Sequence, residues 1–315
     1  MRFGIIGASG YVAPRHLAAI QAVGGRLVVA QDIADSAGTL DRYFPDAAFF
    51  TEIDRLERHL AKEAREGRRL DYLSVCSPNH LHDAHVRFAL RNGADAICEK
   101  PVVINPWNLD LLRDEEARYG RRIWTILQLR LLPSLRALHE RVHMAEPGRH
   151  FAVDLSYITE RGAGYFASWK GDEELSGGIA TNIGIHLFDL LQWIFGPVRE
   201  LDVHVRRPEV VAGALALERA DVRWFLSVDA SHLPIAVRSA EGRTFRSITI
   251  DGEEVDFTDY SSEGLHALSY RSILANSGFS LDDAAPSVEL AHRVRTAPLK
   301  KAGGIVPPQV PEVLK

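Results

Sequence analysis

Sulfur is scarce in this 315-residue chain, which has two cysteines and two methionines. Cys76 and Cys98 each sit inside an apolar, strand-like run and lack the spacing of metal ligands. That argues against a disulfide framework and a cysteine-based zinc site, and for buried reduced thiols in a cytoplasmic protein. Uninterrupted apolar runs are short. None approaches the roughly 18 residues that a membrane span needs, and the most apolar helical pattern, 183–195, contains His186 and Asp189. No signal peptide precedes the first strand pattern. Charge of one sign is not in excess: 37 basic and 42 acidic residues leave a net charge of −5. Neither nucleic acid nor an anionic membrane is therefore expected as a partner. Internal repeats and low-complexity stretches are absent. A balance of 46% hydrophobic and 25% charged residues is that of an ordinary globular chain, and the length favours two domains.

Lysine is also sparse, six against 31 arginines. Lys100 alone directly follows an apolar strand, in Asp95-Ala96-Ile97-Cys98-Glu99-Lys100-Pro101. The run is apolar rather than alternating, as a parallel strand covered on both faces should be. Pro101 keeps Lys100 extended, so the amine stands at the strand's carboxyl end, the edge where open α/β sheets bind ligands. An arginine-preferring chain that keeps lysine there points to a compact, titratable ammonium. The plainer reading is an ion pair with Glu99.

At the start of the chain, Arg2-Phe3-Gly4-Ile5-Ile6 reads as a strand and meets Gly7-Ala8-Ser9-Gly10-Tyr11-Val12. A helical pattern around Leu17, Ile20 and Gln21 stops at Gly24-Gly25. A second strand, Leu27 to Ala30, ends at Asp32. This βαβ pattern carries a glycine turn and a downstream acid, and so resembles the dinucleotide fingerprint, although Ser9 stands where a second glycine is usual. Gly7, Ser9, Gly10, Tyr11 and Val12 would bring backbone and a helix N-terminus to a pyrophosphate. Asp32 would accept hydrogen bonds from a ribose and repel a 2′-phosphate, which favours NAD over NADP.

Residues 51–69 read as a charged amphipathic helix with Ile53, Leu56 and Leu60 inward. A strand follows at 70–76 and ends in Ser77-Pro78-Asn79-His80-Leu81-His82, before a helix from 83 to 92 capped by Gly93. His80, His82 and His85 match no strong zinc spacing; no metal is expected, and the turn reads as a polar border of the cofactor site. A helix at 109–119 and a strand at 123–130 close this half, and a helix at 132–144 links it to the next.

Ser77-Pro78-Asn79-x-x-His82, Gly93, a strand, and then Glu99-Lys100-Pro101 resemble the glucose–fructose oxidoreductase/inositol dehydrogenase (Gfo/Idh/MocA) family. The resemblance implies that Lys100 contacts substrate and nicotinamide, through a lysine–proline bond that is often cis. It also implies that Ser77, Asn79, His82 and Glu99 lie along the cofactor, and that Gln128 lies near the nicotinamide ribose.

After Gly148 the pattern changes to alternating strands at 151–157, 200–206, 211–218, 222–231, 247–250 and 254–257, with an extended Pro-rich tail at 307–311. Together these predict an α/β Rossmann domain over 1–130, with a doubly wound parallel sheet, and an α+β domain over 131–315. The second domain would carry an open, mostly antiparallel sheet that binds substrate and forms oligomers. Within it, Ser176-Gly177-Gly178 leads into Asn182, His186 and Asp189, which helical spacing puts on one stripe. Ile183, Leu187, Leu190, Leu191 and Ile194 occupy the other. The polar stripe is either a site or a solvated face. It is similar to the family's Gly-Gly-x-x-x-Asp-x-x-x-His-x-x-Asp motif, with Asn182 in place of the first aspartate. Asn cannot accept a proton, so proton transfer would rest on His186 and Lys100, in exchangeable roles.

Arg161 offers a fork for a carboxylate or phosphate, and Tyr165 and Trp169 offer stacking faces; a structured surface loop is the alternative. With Tyr11 to His16, Ser156 to Thr159, Ser168 to Asp172 and Arg223 to Asp229, this run resembles the family's sugar-nucleotide branch, the bacterial UDP-N-acetyl-D-glucosaminuronate 3-dehydrogenases. This second resemblance implies oxidation of a 3-hydroxyl with NAD, for synthesis of cell-surface polysaccharide. In some members 2-oxoglutarate reoxidises bound NADH. A homotetramer is expected. A dehydrogenase of a free sugar or inositol, or an NAD-sensing regulator, are the other readings.

Overall fold

The computed structural model describes residues 1–35, 38–255 and 262–301, the side chains of Ser262 and Glu263 excepted. The Pro-rich tail and residues 256–257 of the last expected strand lie outside them. In chain order the first elements are β1 (Arg2–Ile6), α1 (Ala13–Ala22), β2 (Arg26–Gln31), α2 (Gly38–Tyr43), β3 (Ala48–Phe50), α3 (Ile53–Arg65), β4 (Tyr72–Val75), α4 (His82–Arg91), β5 (Asp95–Cys98), α5 (Trp107–Tyr119) and β6 (Ile123–Thr125). Next come α6 (Pro133–Met144), β7 (Phe151–Thr159), α7 (Ala163–Ala167), α8 (Glu173–Ser176), α9 (Gly178–Asn182) and α10 (Ile185–Phe195). The rest are β8 (Val198–Arg207), β9 (Val210–Leu217), β10 (Ala220–Ser227), α11 (Ile235–Ser239), β11 (Thr244–Ile250), β12 (Glu253–Glu254), α12 (Ser262–Leu274) and α13 (Leu281–Thr296).

The chain divides into two compact units. Met1–Leu132 and the described part of 260–285 form one; the described parts of 133–259 and 286–315 form the other. In the first, six strands lie in the order β3-β2-β1-β4-β5-β6, all parallel. Phe3, Ile5, Val75, Ala96 and Ile97 are fully buried, as strands covered on both faces require. The order reverses direction between β1 and β4, so the crevice for a ligand lies beyond their carboxyl ends. Gly7 stands there at φ 84°. A Cβ on it would come within 2.5 Å of the Cys76 carbonyl carbon, so the left-handed turn and the approach of the β4 end both demand glycine. The second unit holds a six-stranded sheet in the order β12-β11-β7-β10-β9-β8. The β7–β10 pair is parallel and the rest are antiparallel.

Several expected elements come out differently. The strand at 123–130 stops at Thr125, and Gln128–Leu131 is a 3-10 turn. Arg130 leaves the extended path because its guanidinium reaches the Asp283 carbonyl at 3.0 Å. The strand at 222–231 ends at Ser227, where the Asp229 side chain accepts from the Ser231 amide at 2.7 Å and turns the chain. The helical stripe expected over 182–189 falls on two helices, α9 and α10. Ile183 and Gly184 amides both turn back to the Ile179 carbonyl, and a Cβ at Gly184 would press on Leu226 at 2.6 Å. Asn182 is thereby separated from His186 and Asp189, which share α10, and Asp189 is 3% exposed. The periodicity also left α12 and α13 unmarked. Tyr270 and Ile273 of α12 pack into the same core as Phe3, Leu17 and Ile20.

Candidate active site

At the β1 end, the amides of Gly7 and Ala8 bond the Gln31 carbonyl, and Gly10 bonds the Gly7 carbonyl. The Ser9 amide donates to Asp32 Oδ2 at 2.9 Å, and Asp32 Oδ1 accepts from the Ala34 amide at 2.9 Å. The acid is thus fixed beside the glycine turn by the loop it caps. Among the described residues nothing takes the amides of Tyr11 and Val12, which open α1; a helix N-terminus of this kind attracts anions. Tyr11 is 81% exposed and Ile33, which spacing did not single out, 89%. An apolar side chain left bare directly after the ribose-type acid was the available signal.

At the β4 and β5 ends, His82 is buried and joins two segments. Its Nδ1 faces the Pro101 carbonyl at 2.6 Å and its Nε2 the Ser77 carbonyl at 2.8 Å. Burial holds its pKa below the ordinary imidazole value against the pull of both carbonyls. The Lys100–Pro101 bond is cis, and Lys100 is half-buried. The Ser77 hydroxyl pairs with His85 Nδ1 at 2.8 Å. Asn79 and Gln128 are each 5% exposed, and Gln128 Oε1 is buried with no partner. His80, by contrast, is exposed.

Glu99 points the other way, into the protein. Its Oε1 accepts from His16 Nε2 at 2.9 Å and His266 Nε2 at 3.0 Å. His16 Nδ1 meets Tyr270 Oη at 2.8 Å, which meets Ser74 Oγ at 2.6 Å. Burial raises the Glu99 carboxyl, but the two imidazole donors outweigh it and hold it well below the usual carboxylate range. His16, Glu99 and His266 carry metal-ligating donor types within 4.8 Å of one another, and they are engaged with each other as hydrogen-bond partners. Sequence reasoning missed this cluster. His266 and Tyr270 lie 167 and 171 positions after Glu99, and no local spacing connects them.

In the second unit, Asn182 and His186 are half-buried. Asn182 Nδ2 donates to Tyr165 Oη at 3.2 Å, so the helical motif and the segment before it do meet. Arg161 is exposed and Trp169 half-buried, with the Lys170 ammonium 5.8 Å from the Trp169 ring centroid. Burial lowers the Lys170 pKa and the Arg161 charge lowers it further. Tyr165, Asn182, Arg161 and Lys170 therefore form one polar, cationic group.

A doubly wound parallel sheet with a glycine turn, an acid after β2 and a lysine after β5, joined to a mixed-sheet unit, defines a two-domain dinucleotide-binding protein. The chain belongs to the glucose–fructose oxidoreductase/inositol dehydrogenase (Gfo/Idh/MocA) oxidoreductase family. Residues 1–126 match its NAD-binding Rossmann fold and 148–258 its C-terminal alpha/beta domain. The WlbA (WbpB) dehydrogenase from Thermus thermophilus is 50% identical, with a TM-score of 0.92 covering 96% of this chain and 97% of that one. Its crystal structures are complexes with NAD and alpha-ketoglutarate and with NAD and UDP-GlcNAcA. A glucose-6-phosphate 3-dehydrogenase of Bacillus subtilis is 26% identical over 199 residues, 62% of this chain and 53% of that protein. The matches span 35% to 53% of the length of the curated relatives. The first unit fits NAD on two observations: the open amides at the start of α1 and the unpartnered Gln128 Oε1.

Among the described residues no helix is long and apolar enough to cross a membrane.

Proposed function

We propose that the protein oxidises the 3-hydroxyl of UDP-N-acetyl-D-glucosaminuronic acid to the 3-keto sugar in the cytoplasm, as a step toward a cell-surface polysaccharide. What carries this reading is the 50% identity, over 96% of the chain, to a dehydrogenase crystallised with NAD and UDP-GlcNAcA. NAD, held by the turn from Gly7 to Val12, Asp32 and the Ser77–Asn79 segment, supplies a hydride acceptor at its nicotinamide C4. His186 takes the hydroxyl proton. The Lys100 ammonium orients the hydroxyl and stabilises the alkoxide charge that grows as the C–H bond breaks.

Asn182 has no proton-accepting carboxylate; its work is to hold Tyr165 in place. Arg161, reinforced by Lys170, pairs with the anionic groups of the substrate, and Tyr165 and Trp169 supply stacking surface. The protein acts as a homotetramer through the outer face of the second sheet, where Ala152, Asp154, Asp221 and Arg223 lie side by side in register.

The NADH formed is reoxidised by 2-oxoglutarate. The test is NADH absorbance from the purified protein with UDP-N-acetyl-D-glucosaminuronate, with and without 2-oxoglutarate. Reduction with the sugar nucleotide but not with free sugars, reversed by 2-oxoglutarate, is the expected result. Turnover of free glucose or inositol alone rejects the substrate.

A further inference from the structure

Three donors of the second unit come together without acceptors of their own. Among the described residues the Arg161 guanidinium, the Lys170 ammonium and the Tyr165 hydroxyl proton have no oxygen to donate to; Lys170 has only the Trp169 ring, 5.8 Å away. The acids beside them in sequence are turned elsewhere. Glu160 pairs with Arg243 at 3.8 Å, and Asp172 accepts from the Glu174 amide at 2.8 Å as it caps α8. A half-buried ammonium beside a guanidinium is costly until an anion joins them. Burial, then the Arg161 charge, lowers the Lys170 pKa accordingly. The chain has acids to spare, 42 against 37 bases, yet none is placed here.

The backbone holds these donors in place. The Arg161 amide donates to the Val228 carbonyl beyond β10 at 3.1 Å. Ser168 Oγ donates to the Tyr165 carbonyl at 2.8 Å and accepts from the Lys170 amide at 3.3 Å, so one side chain ties both residues. A Cβ at Gly171 would come within 2.4 Å of Phe166 Cα, so the loop closes this tightly only with glycine there. Asn182 then sets the direction of the phenol. Its Nδ2 donates to Tyr165 Oη at 3.2 Å, which uses the oxygen as acceptor and leaves its proton for another partner. Burial raises the Tyr165 pKa against the Asn182 bond and the Arg161 charge, so the proton stays on at neutral pH. An aspartate at 182 would do the reverse: it would accept the phenol proton and set a negative charge beside the two cations.

We infer that Asn182 is a positioning residue that turns the Tyr165 hydroxyl proton outward, so that Tyr165, Arg161 and Lys170 together receive an oxyanion of the substrate. Asparagine rather than aspartate at 182 is what makes this group a receptor for negative charge.

The inference deepens the substrate reading above and rests on it, and two measurements keep their failures apart. The first is calorimetry on the holoenzyme loaded with NADH, which binds the alcohol without oxidising it. Tyr165→Phe weakens UDP-N-acetyl-D-glucosaminuronate about tenfold, as loss of a hydrogen bond to a charged group should. A loss confined to the uronate assigns the bond to the carboxylate. An equal loss with UDP-N-acetylglucosamine assigns it to the diphosphate. Asn182→Asp weakens binding at least as much, and in that background Tyr165→Phe costs nothing further. The same cost in both backgrounds, or in neither, overturns the inference. The second measurement needs no ligand. Tyrosine carrying 13C at Cζ gives eight signals in this chain, and Tyr165 is the one lost in Tyr165→Phe. Followed from pH 8 to 11, Asn182→Ala raises the Tyr165 pKa by about one unit, because a donor to the phenolate is gone. A fall, the result if Asn182 accepted the proton, or no change overturns the inference. If the wild-type protein binds neither UDP-sugar, the substrate reading has failed instead, and the tyrosine titration decides the direction of the Asn182 bond by itself.

Discussion

His82 Nδ1 lies 2.6 Å from the Pro101 carbonyl oxygen while its Nε2 lies 2.8 Å from that of Ser77, so one imidazole ties the turn after β4 to the segment after β5. Both partners are acceptors, and the ring is 1% exposed. The neutral ring that burial favours donates to one of the two carbonyls, so His82→Leu leaves that buried acceptor without its donor and costs about 2 kcal/mol of stability, read from the urea midpoint. Misplacement of the Lys100 end by a fraction of an ångström lowers kcat on the order of a hundredfold. NAD affinity falls less, because Asp32 and the α1 amides are untouched. Equal losses in kcat and NAD affinity would remove the clamp from this role.

Asp32 works on two levels. It caps Ser9 and Ala34, and its charge opposes a 2′-phosphate. Asp32→Asn keeps an acceptor oxygen but not the charge. The ratio of NADP to NAD dissociation constants should fall about tenfold, equivalent to roughly 1.4 kcal/mol. Fluorescence titration with both nucleotides checks it, and an unchanged ratio rejects the ribose role.

Lys100→Met and His186→Asn should each fold and bind NAD, and each should lose turnover by about 10²- to 10⁴-fold, the range for a positioned proton-transfer or oxyanion group. Calorimetric NAD binding beside single-turnover NADH formation separates the two effects. A variant that keeps wild-type turnover excludes that residue from the chemistry.

His85 supplies a stability dependence on pH. Burial, then the neighbouring His82 and His80, lowers its pKa from 6.5 to about 4. The unfolded chain therefore binds a proton near pH 6.5 that the folded chain refuses until about pH 4. Stability rises with pH across this window and is lost as pH falls through it, by about 3 kcal/mol in total. Urea unfolding of the wild type and His85→Gln at several pH values from 4 to 7 should give curves that converge toward neutral pH on the wild-type side. Parallel curves would show that His85 titrates alike in both states.

The parallel sheet was legible because each of its longer strands is a short apolar run ended by glycine or a polar turn. Burial on both faces leaves no room for polar alternation. The strand-end position of Lys100 was legible because an arginine-rich chain places a lone lysine after such a run; i, i+4 spacing put Asn182 and His186 on one helix, whereas they stand on α9 and α10. The break at Ile183–Gly184 was not legible, because it depends on how closely Leu226 of β10 approaches.

By itself, the order of residues determined where the glycine turn, the strand-end lysine and the acid after β2 would fall, since these follow from backbone sterics and from burial pattern along a few consecutive positions. Only the tertiary structure decided what surrounds Glu99. Its partners His16 and His266 stand on helices 83 positions before and 167 positions after it. Hydrogen bonding selects by distance and angle in space, and the packing of α12 against α1 alone brings those donors to one carboxylate.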